Sequence, residues 1–257
     1  TVQNGVGTQV QIYDANVADL DGVSMYATAP YVNATLTNGF TFSIWAKIKS
    51  GGVNDQVLLS FANPNTGRLV ELRWRNGTGY VSCVVYSGSF STVDTSSTTN
   101  LEDGAYHHIL MTYASGVVKF RIDDVDFGGG TLPLASITAD SRFSIGVWQG
   151  LNSSFLKGGL LSAKVYPWVV TAGEATALAQ SPIKCRSLLV EETPSLAGSV
   201  YELPMYNHAG FVGQVWVDQS PNSLTTTPVG SIPFTETAVV VCEPFVPAIN
   251  ATVLTIA

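Results

Sequence analysis

The chain has 257 residues, of which 46% are hydrophobic and only 12% charged, so it can bury a large core and is no disordered tail. Twelve basic residues against nineteen acidic ones give a net charge of −7 with no basic run, which disfavours a nucleic-acid partner. No apolar stretch reaches the roughly 18 residues that span a bilayer, and Thr1-Val2-Gln3-Asn4 resembles no export signal.

In chain order the first strong signal is Phe40–Lys49. Phe40, Phe42, Ile44, Ala46 and Ile48 fall on one face, and Thr41, Ser43, Trp45, Lys47 and Lys49 on the other. That period of two predicts a half-buried strand. Strands are predicted next at Val57–Phe61, Leu69–Arg75 and Tyr80–Tyr86, separated by Asn63-Pro64-Asn65-Thr66-Gly67 and Asn76-Gly77-Thr78-Gly79. Both separators are turn chemistry. Ser91–Asn100 is polar and of low complexity and reads as a surface loop. His107–Tyr113 and Val117–Ile122 form a hairpin, and Gly128-Gly129-Gly130 loosens the chain ahead of a strand at Phe143–Trp148. The one helix predicted is Thr171–Gln180, where Thr171 and Glu174 have capping-box spacing and Pro182 lies beyond the end.

Residues 181–257 change character, with more proline and strand-like pieces at Phe211–Val217 and Ala238–Cys242. The stretch Ala248–Ala257 has no charged side chain and high β propensity, so it is expected to pair with a strand of this subunit or of another. Cys83 alternates with Val81 and Val85 and reads as a small buried hydrophobe; a Cys185–Cys242 bridge is left open. The sequons at Asn33, Asn76, Asn152 and Asn250 are explained by chance as well as by glycosylation.

Taken in order, these pieces resemble the laminin G-like or pentraxin-like branch of the concanavalin A-like lectins and glucanases. FTFSIWAKI at Phe40–Ile48 is similar to the first core strand of that family. Gly104-Ala105-Tyr106-His107-His108-Ile109 keeps its paired histidines, with Tyr106 where tryptophan is usual. Asp123-Asp124 stands in place of Asp-Gly, Phe143-Ser144-Ile145-Gly146 follows, and Gly159–Tyr166 with Thr171–Leu178 closes the series. The resemblance covers about residues 10–180 and implies an all-β, two-sheet antiparallel jelly-roll sandwich with one short helix. Residues 1–180 would form that domain, and 181–257 a C-terminal extension adding edge strands or an inter-subunit arm. Trp216 through Asn222, followed by Pro228-Val229-Gly230, looks like a lead-in that family members carry ahead of their first core strand.

No catalytic residues are expected. Related glucanases carry E-x-D-x-E on one strand, which is absent, and Asp123-Asp124-Val125-Asp126 reads as a solvated hairpin end. His107 and His108 point to opposite faces of their strand, so they make no joint metal site. Cofactors are expected to be none, with calcium open at the loop acids Asp55, Asp103 and Asp126, as the resemblance implies. For glycans the candidates are Trp148, Gln149 and Asn152 in a loop after a strand, and Trp45 on the polar strand face.

Two functions follow. The first is a non-catalytic structural protein of a virion surface, phage-borne, acting as a decoration, capsid-associated or fibre component. It would oligomerise or form an array with other subunits through the C-terminal arm. The second is a secreted or surface lectin-like module that binds cell-surface glycans. A glycoside hydrolase is the least favoured alternative.

Overall fold

The computed structural model describes residues 11–29, 36, 39–52, 55–66, 69–133, 137–138, 140–148 and 153–180, together with backbone strands at 184–187, 190–192, 201–204, 206–208, 227–229 and 236–242. In chain order the strands are β1 (Gln11–Asp21), β2 (Tyr26–Ala29), β3 (Gly39–Ile48), β4 (Gln56–Ala62), β5 (Leu69–Arg75) and β6 (Tyr80–Tyr86). Then come β7 (Phe90–Asp94), β8 (His107–Ala114), β9 (Val117–Ile122), β10 (Val125–Thr131), β11 (Arg142–Ile145), β12 (Lys157–Tyr166) and helix α1 (Ala172–Gln180). The C-terminal strands are β13 (Lys184–Ser187), β14 (Val190–Glu192), β15 (Tyr201–Pro204), β16 (Tyr206–His208), β17 (Thr227–Val229) and β18 (Glu236–Cys242).

Two antiparallel sheets form the sandwich. One runs β10-β9-β8-β3-β12-β1-β16, with β15 also on β12 and β18 also on β1; the other runs β17-β2-β11-β4-β5-β6-β7. Among the described strands, β13 and β14 pair with each other. The inward face of β3 carries Phe40, Phe42, Ile44, Ala46 and Ile48, all fully buried, as its alternation predicts. A chain of rings crosses the core from sheet to sheet: Tyr113–Phe40 at 4.9 Å, Phe40–Phe42 at 5.1 Å, Phe42–Phe61 at 5.4 Å and Phe61–Phe143 at 4.7 Å. Cys83 sits in this core as a free thiol, and burial pushes its pKa up to about 12, so it stays protonated.

The other face of β3 departs from expectation. Thr41 and Ser43 are buried because the segment after β12 folds back over them. The Thr41 hydroxyl donates to the Trp168 carbonyl at 2.8 Å and accepts from the Val170 N–H at 3.1 Å. Helix α1 then lies on this face, packing Ala175 and Leu178 with Leu110, Tyr166, Val170 and Trp168. Its N-terminus is a complete capping box: Glu174 N–H donates to Thr171 Oγ at 3.3 Å, and Thr171 N–H donates to the Glu174 carboxylate at 2.7 Å. Such caps contribute about 1 kcal/mol.

Two loop expectations are corrected. Ser91–Asp94 belongs to edge strand β7, because Val93 packs against the core and the strand pairs along β6. The triglycine lies inside β10, where the register shifts between Asp126 and Gly129. At Gly129 a Cβ would stand 2.0 Å from the Val118 carbonyl oxygen, so this bulge needs glycine.

Several C-terminal strands join the sandwich within the same chain. β15 pairs with β12, β16 and β18 pair with β1, and β17 pairs with β2. Phe211–Val217, the Trp216–Asn222 lead-in, the Ala248–Ala257 arm and the side chains of Cys185 and Cys242 lie outside the described residues. Among the described residues no helix is long and apolar enough to cross a membrane.

Candidate functional site

The two sheets differ in what covers their outward faces. Helix α1 covers that of the first. On the second, alternation against the core strands turns one row away from the core: Thr28, Ser144, Ser60, Glu71, Val84 and Thr92 are register neighbours across β2, β11, β4, β5, β6 and β7, and the middle four of them are buried. Beside it, Arg73, Ser82 and Asp94 form a second row.

These rows carry an ionic chain. Arg73 donates to Glu71 at 3.1 Å and to Asp55 at 3.3 Å. Arg75 donates to Asp94 at 2.9 Å and stands 4.0 Å from Asp55, and the Ser82 hydroxyl donates to Asp94 at 2.6 Å. Glu71 is only 1% exposed, and burial pushes its carboxyl up to about 7, with the Arg73 guanidinium opposing the rise in part. Among the described residues, Ser60 Oγ, Glu71 Oε1 and Arg73 Nε are buried without a hydrogen-bond partner.

Aromatic rings rim this polar floor. Tyr86 and Phe90, at the two ends of the β6–β7 turn, have centroids 4.8 Å apart, and Phe90 is 57% exposed. Trp148 meets Phe90 edge-on at 6.2 Å. Phe90 lies on the strand four places from β11, about 19 Å away at ordinary strand spacing. Trp148, which follows β11, therefore reaches Phe90 across the sheet; its N–H donates to the Ser153 carbonyl at 3.2 Å, and Val57 N–H donates to the Ser154 carbonyl at 3.0 Å.

Of the glycan candidates read from sequence, Trp148 thus stands at this rim, half-buried. Gln149 and Asn152 lie outside the described residues. Trp45 is on the other sheet: its indole N–H donates to the Leu178 carbonyl at 3.1 Å, in the last turn of α1, and its ring tilts against His108 at 5.3 Å. His108 is buried and shares a 2.9 Å hydrogen bond with Ser43; burial pulls its pKa down to about 3, so it is neutral. His107 instead lies between Asp123 at 2.6 Å and Asp103 at 3.0 Å, and the Asp123 contact leads in raising its pKa.

The calcium candidates are dispersed. Asp55 is held by Arg73, Asp103 accepts from Ala105 N–H and bonds His107, and Asp126 accepts from Gly128 N–H. Among the described residues no group of three metal-ligating side chains converges. Asp123 and Asp124 have φ of 51° and 67° and form the β9–β10 turn that Asp-Gly makes more commonly. Asp124 is engaged there by Arg121 and Thr176. Sequence reasoning missed Tyr86, Phe90, Glu71 and Arg73. Their signal was the E-x-R-x-R alternation of β5 and the Tyr-Ser-Gly-Ser-Phe turn.

A jelly-roll sandwich with an ionic and aromatic surface on one sheet is a lectin-like scaffold. The laminin G model of the concanavalin A-like lectin/glucanases superfamily matches residues 21–176, more than half of the chain, and the chain belongs to that superfamily. Comparison with proteins of curated function finds no match. Among solved structures, the chain is similar to a putative carbohydrate binding protein from Bacteroides ovatus, with a TM-score of 0.58 and 12% identity over 91% of this chain and 61% of that one. It is also similar to domain 4 of AbnA, a GH43 extracellular arabinanase from Geobacillus stearothermophilus, solved with arabinotriose. There the TM-score is 0.54 and the identity 21%, over 69% and 84% of the two chains. A heptameric SAP-like pentraxin from Limulus polyphemus gives a TM-score of 0.50 and 12% identity over 66% and 82%.

Proposed function

We propose that the chain is a non-catalytic carbohydrate-binding module that takes its glycan on the outward face of the second sheet, with Phe90 and Trp148 as apolar contacts. The observation that carries this reading is an exposed Phe90 held against Trp148 on the face that also presents the partly exposed Arg73–Asp55 and Arg75–Asp94 pairs. Sugar rings present an apolar face to an aromatic ring and hydroxyls to such polar groups. The same scaffold appears in a domain solved with arabinotriose and in a putative carbohydrate binding protein, which supports the reading at the level of fold. Glycoside hydrolysis is disfavoured by the carboxyls themselves. It needs two of them flanking the scissile bond, about 5–5.5 Å apart in retaining enzymes. Here Asp55 and Asp94 are held by arginines and Glu71 is buried beside its own.

Titration of the chain against an array of soluble oligosaccharides is expected to give saturable binding. Phe90→Ala should weaken it roughly tenfold or more with an unchanged circular dichroism spectrum. Equal affinity in wild type and variant would sink the assignment of the site.

A second reading concerns setting: a module of this kind displayed on a virion as a decoration or fibre component, or on another extracellular surface, in contact with further subunits. It is favoured by the low charge content and by the uncharged, β-prone stretch Ala248–Ala257. Removing that stretch is expected to lower the mass measured by light scattering to that of a single chain. A full-length chain that is already monomeric would overturn it.

A further inference from the structure

We infer that this surface is built for a neutral, soluble glycan chain, and not for a crystalline polysaccharide face or a polyanionic glycan. The inference rests on the glycan-binding reading above and names its ligand class.

Ring geometry is the first support. To lie against a flat crystalline face, successive aromatic rings must share one plane. Here Tyr86 and Phe90 are inclined at 50°, and Phe90 and Trp148 at 67°. The three rings make a bent cradle whose successive centroids are 4.8 Å and 6.2 Å apart. Such a cradle suits a single chain, whose successive sugar rings rotate relative to one another.

Charge is the second support, and it is independent of the first. Recognition of sulfated or uronic-acid glycans needs guanidinium or ammonium groups free to take the anion. Arg73 is bracketed by Glu71 and Asp55, and Arg75 by Asp94 and Asp55. With Arg142, on the same face at the end of β11, that face carries three bases and the three carboxyls Glu71, Asp55 and Asp94, so it has no net positive charge. An anionic sugar would have to displace a carboxylate already seated and then face it. A sugar hydroxyl does neither, since it accepts from a guanidinium while donating to the neighbouring carboxylate. The flanking Thr28 and Thr92, respectively half-buried and exposed, add uncharged hydroxyls, whereas Ser144 is buried and donates to the Val147 carbonyl. The net charge of −7 adds no long-range attraction for a polyanion.

The test compares three probe classes with the full chain and with Phe90→Ala, at low ionic strength so that attraction to polyanions is least screened. Affinity electrophoresis uses soluble β-1,3-glucan, mannan and arabinan, then heparin and polygalacturonate; sedimentation uses microcrystalline cellulose and chitin. The expected result is retardation by at least one neutral soluble polymer, reduced roughly tenfold or more in Phe90→Ala, with no Phe90-dependent binding to the other two classes. Phe90-dependent binding to a crystalline or polyanionic probe would overturn this inference while leaving the site in place. No binding to any class, or binding that Phe90→Ala leaves untouched, would remove the glycan-binding reading and this inference with it.

Discussion

Phe42→Ala is expected to lower the unfolding free energy by about 3–5 kcal/mol, the range for truncating a buried aromatic side chain. Phe42 is fully buried and its ring stacks on Phe61 of the second sheet at 5.4 Å. A protein of this size loses roughly 2–4 °C of melting temperature per kcal/mol, so a drop of roughly 6–20 °C should appear in calorimetry. The same loss is expected for Phe61→Ala. The double variant should fall short of the sum by about 0.5–1.5 kcal/mol, the ring–ring coupling. A single-variant loss below about 1 kcal/mol would contradict this placement of the ring.

Gly158→Ala should be comparably damaging for a different reason. Gly158 is the second residue of β12, at φ +144°, and a Cβ there would lie 1.9 Å from the Lys47 carbonyl oxygen and 3.2 Å from the Lys49 nitrogen. Those are backbone atoms of the neighbouring strand, so no side chain can swing aside. The ladder between β3 and β12, in which Gly158 faces Ile48, has to open locally. A loss on the order of 3 kcal/mol or more is expected in denaturant unfolding. Gly173→Ala is the control of opposite sign. It lies in α1 with nothing within 4 Å of a new Cβ, and alanine there should add up to about 1 kcal/mol. A Gly158→Ala chain as stable as wild type would refute the close approach of β12 to β3.

What was legible in the sequence followed from local rules. The alternation of Phe40–Lys49 placed five side chains in the core, and the Thr171/Glu174 spacing placed a cap that forms as read. Strand β7 was hidden because its single inward anchor, Val93, is surrounded by Ser and Thr that read as loop. Trp45 looked exposed because nothing local says that the segment from Tyr166 to Leu178 returns to cover it. The candidate site shows the same limit. Glu71, Arg73 and Arg75 alternate visibly along β5, but their partners Asp55 and Asp94 come from other places in the chain. Phe90 and Trp148 are neighbours although one is on β7 and the other follows β11, four strands away in the sheet order. Periodicity states which way a residue faces. It does not state what arrives from elsewhere to meet it.

The ladder between β1 and β18 runs from Gln11↔Cys242 to Val17↔Glu236, joining the earliest described strand to the last. Every contact in it closes a loop that contains almost the whole sandwich, so it contributes little to early structure and much to contact order. On a ribosome the consequence is temporal. The first half of β1 is made early, yet its ladder with β18 waits for residues translated more than two hundred positions later. Until then a β-competent edge stands unpaired on an otherwise formed core, the interval in which chaperones or a neighbouring copy compete for it.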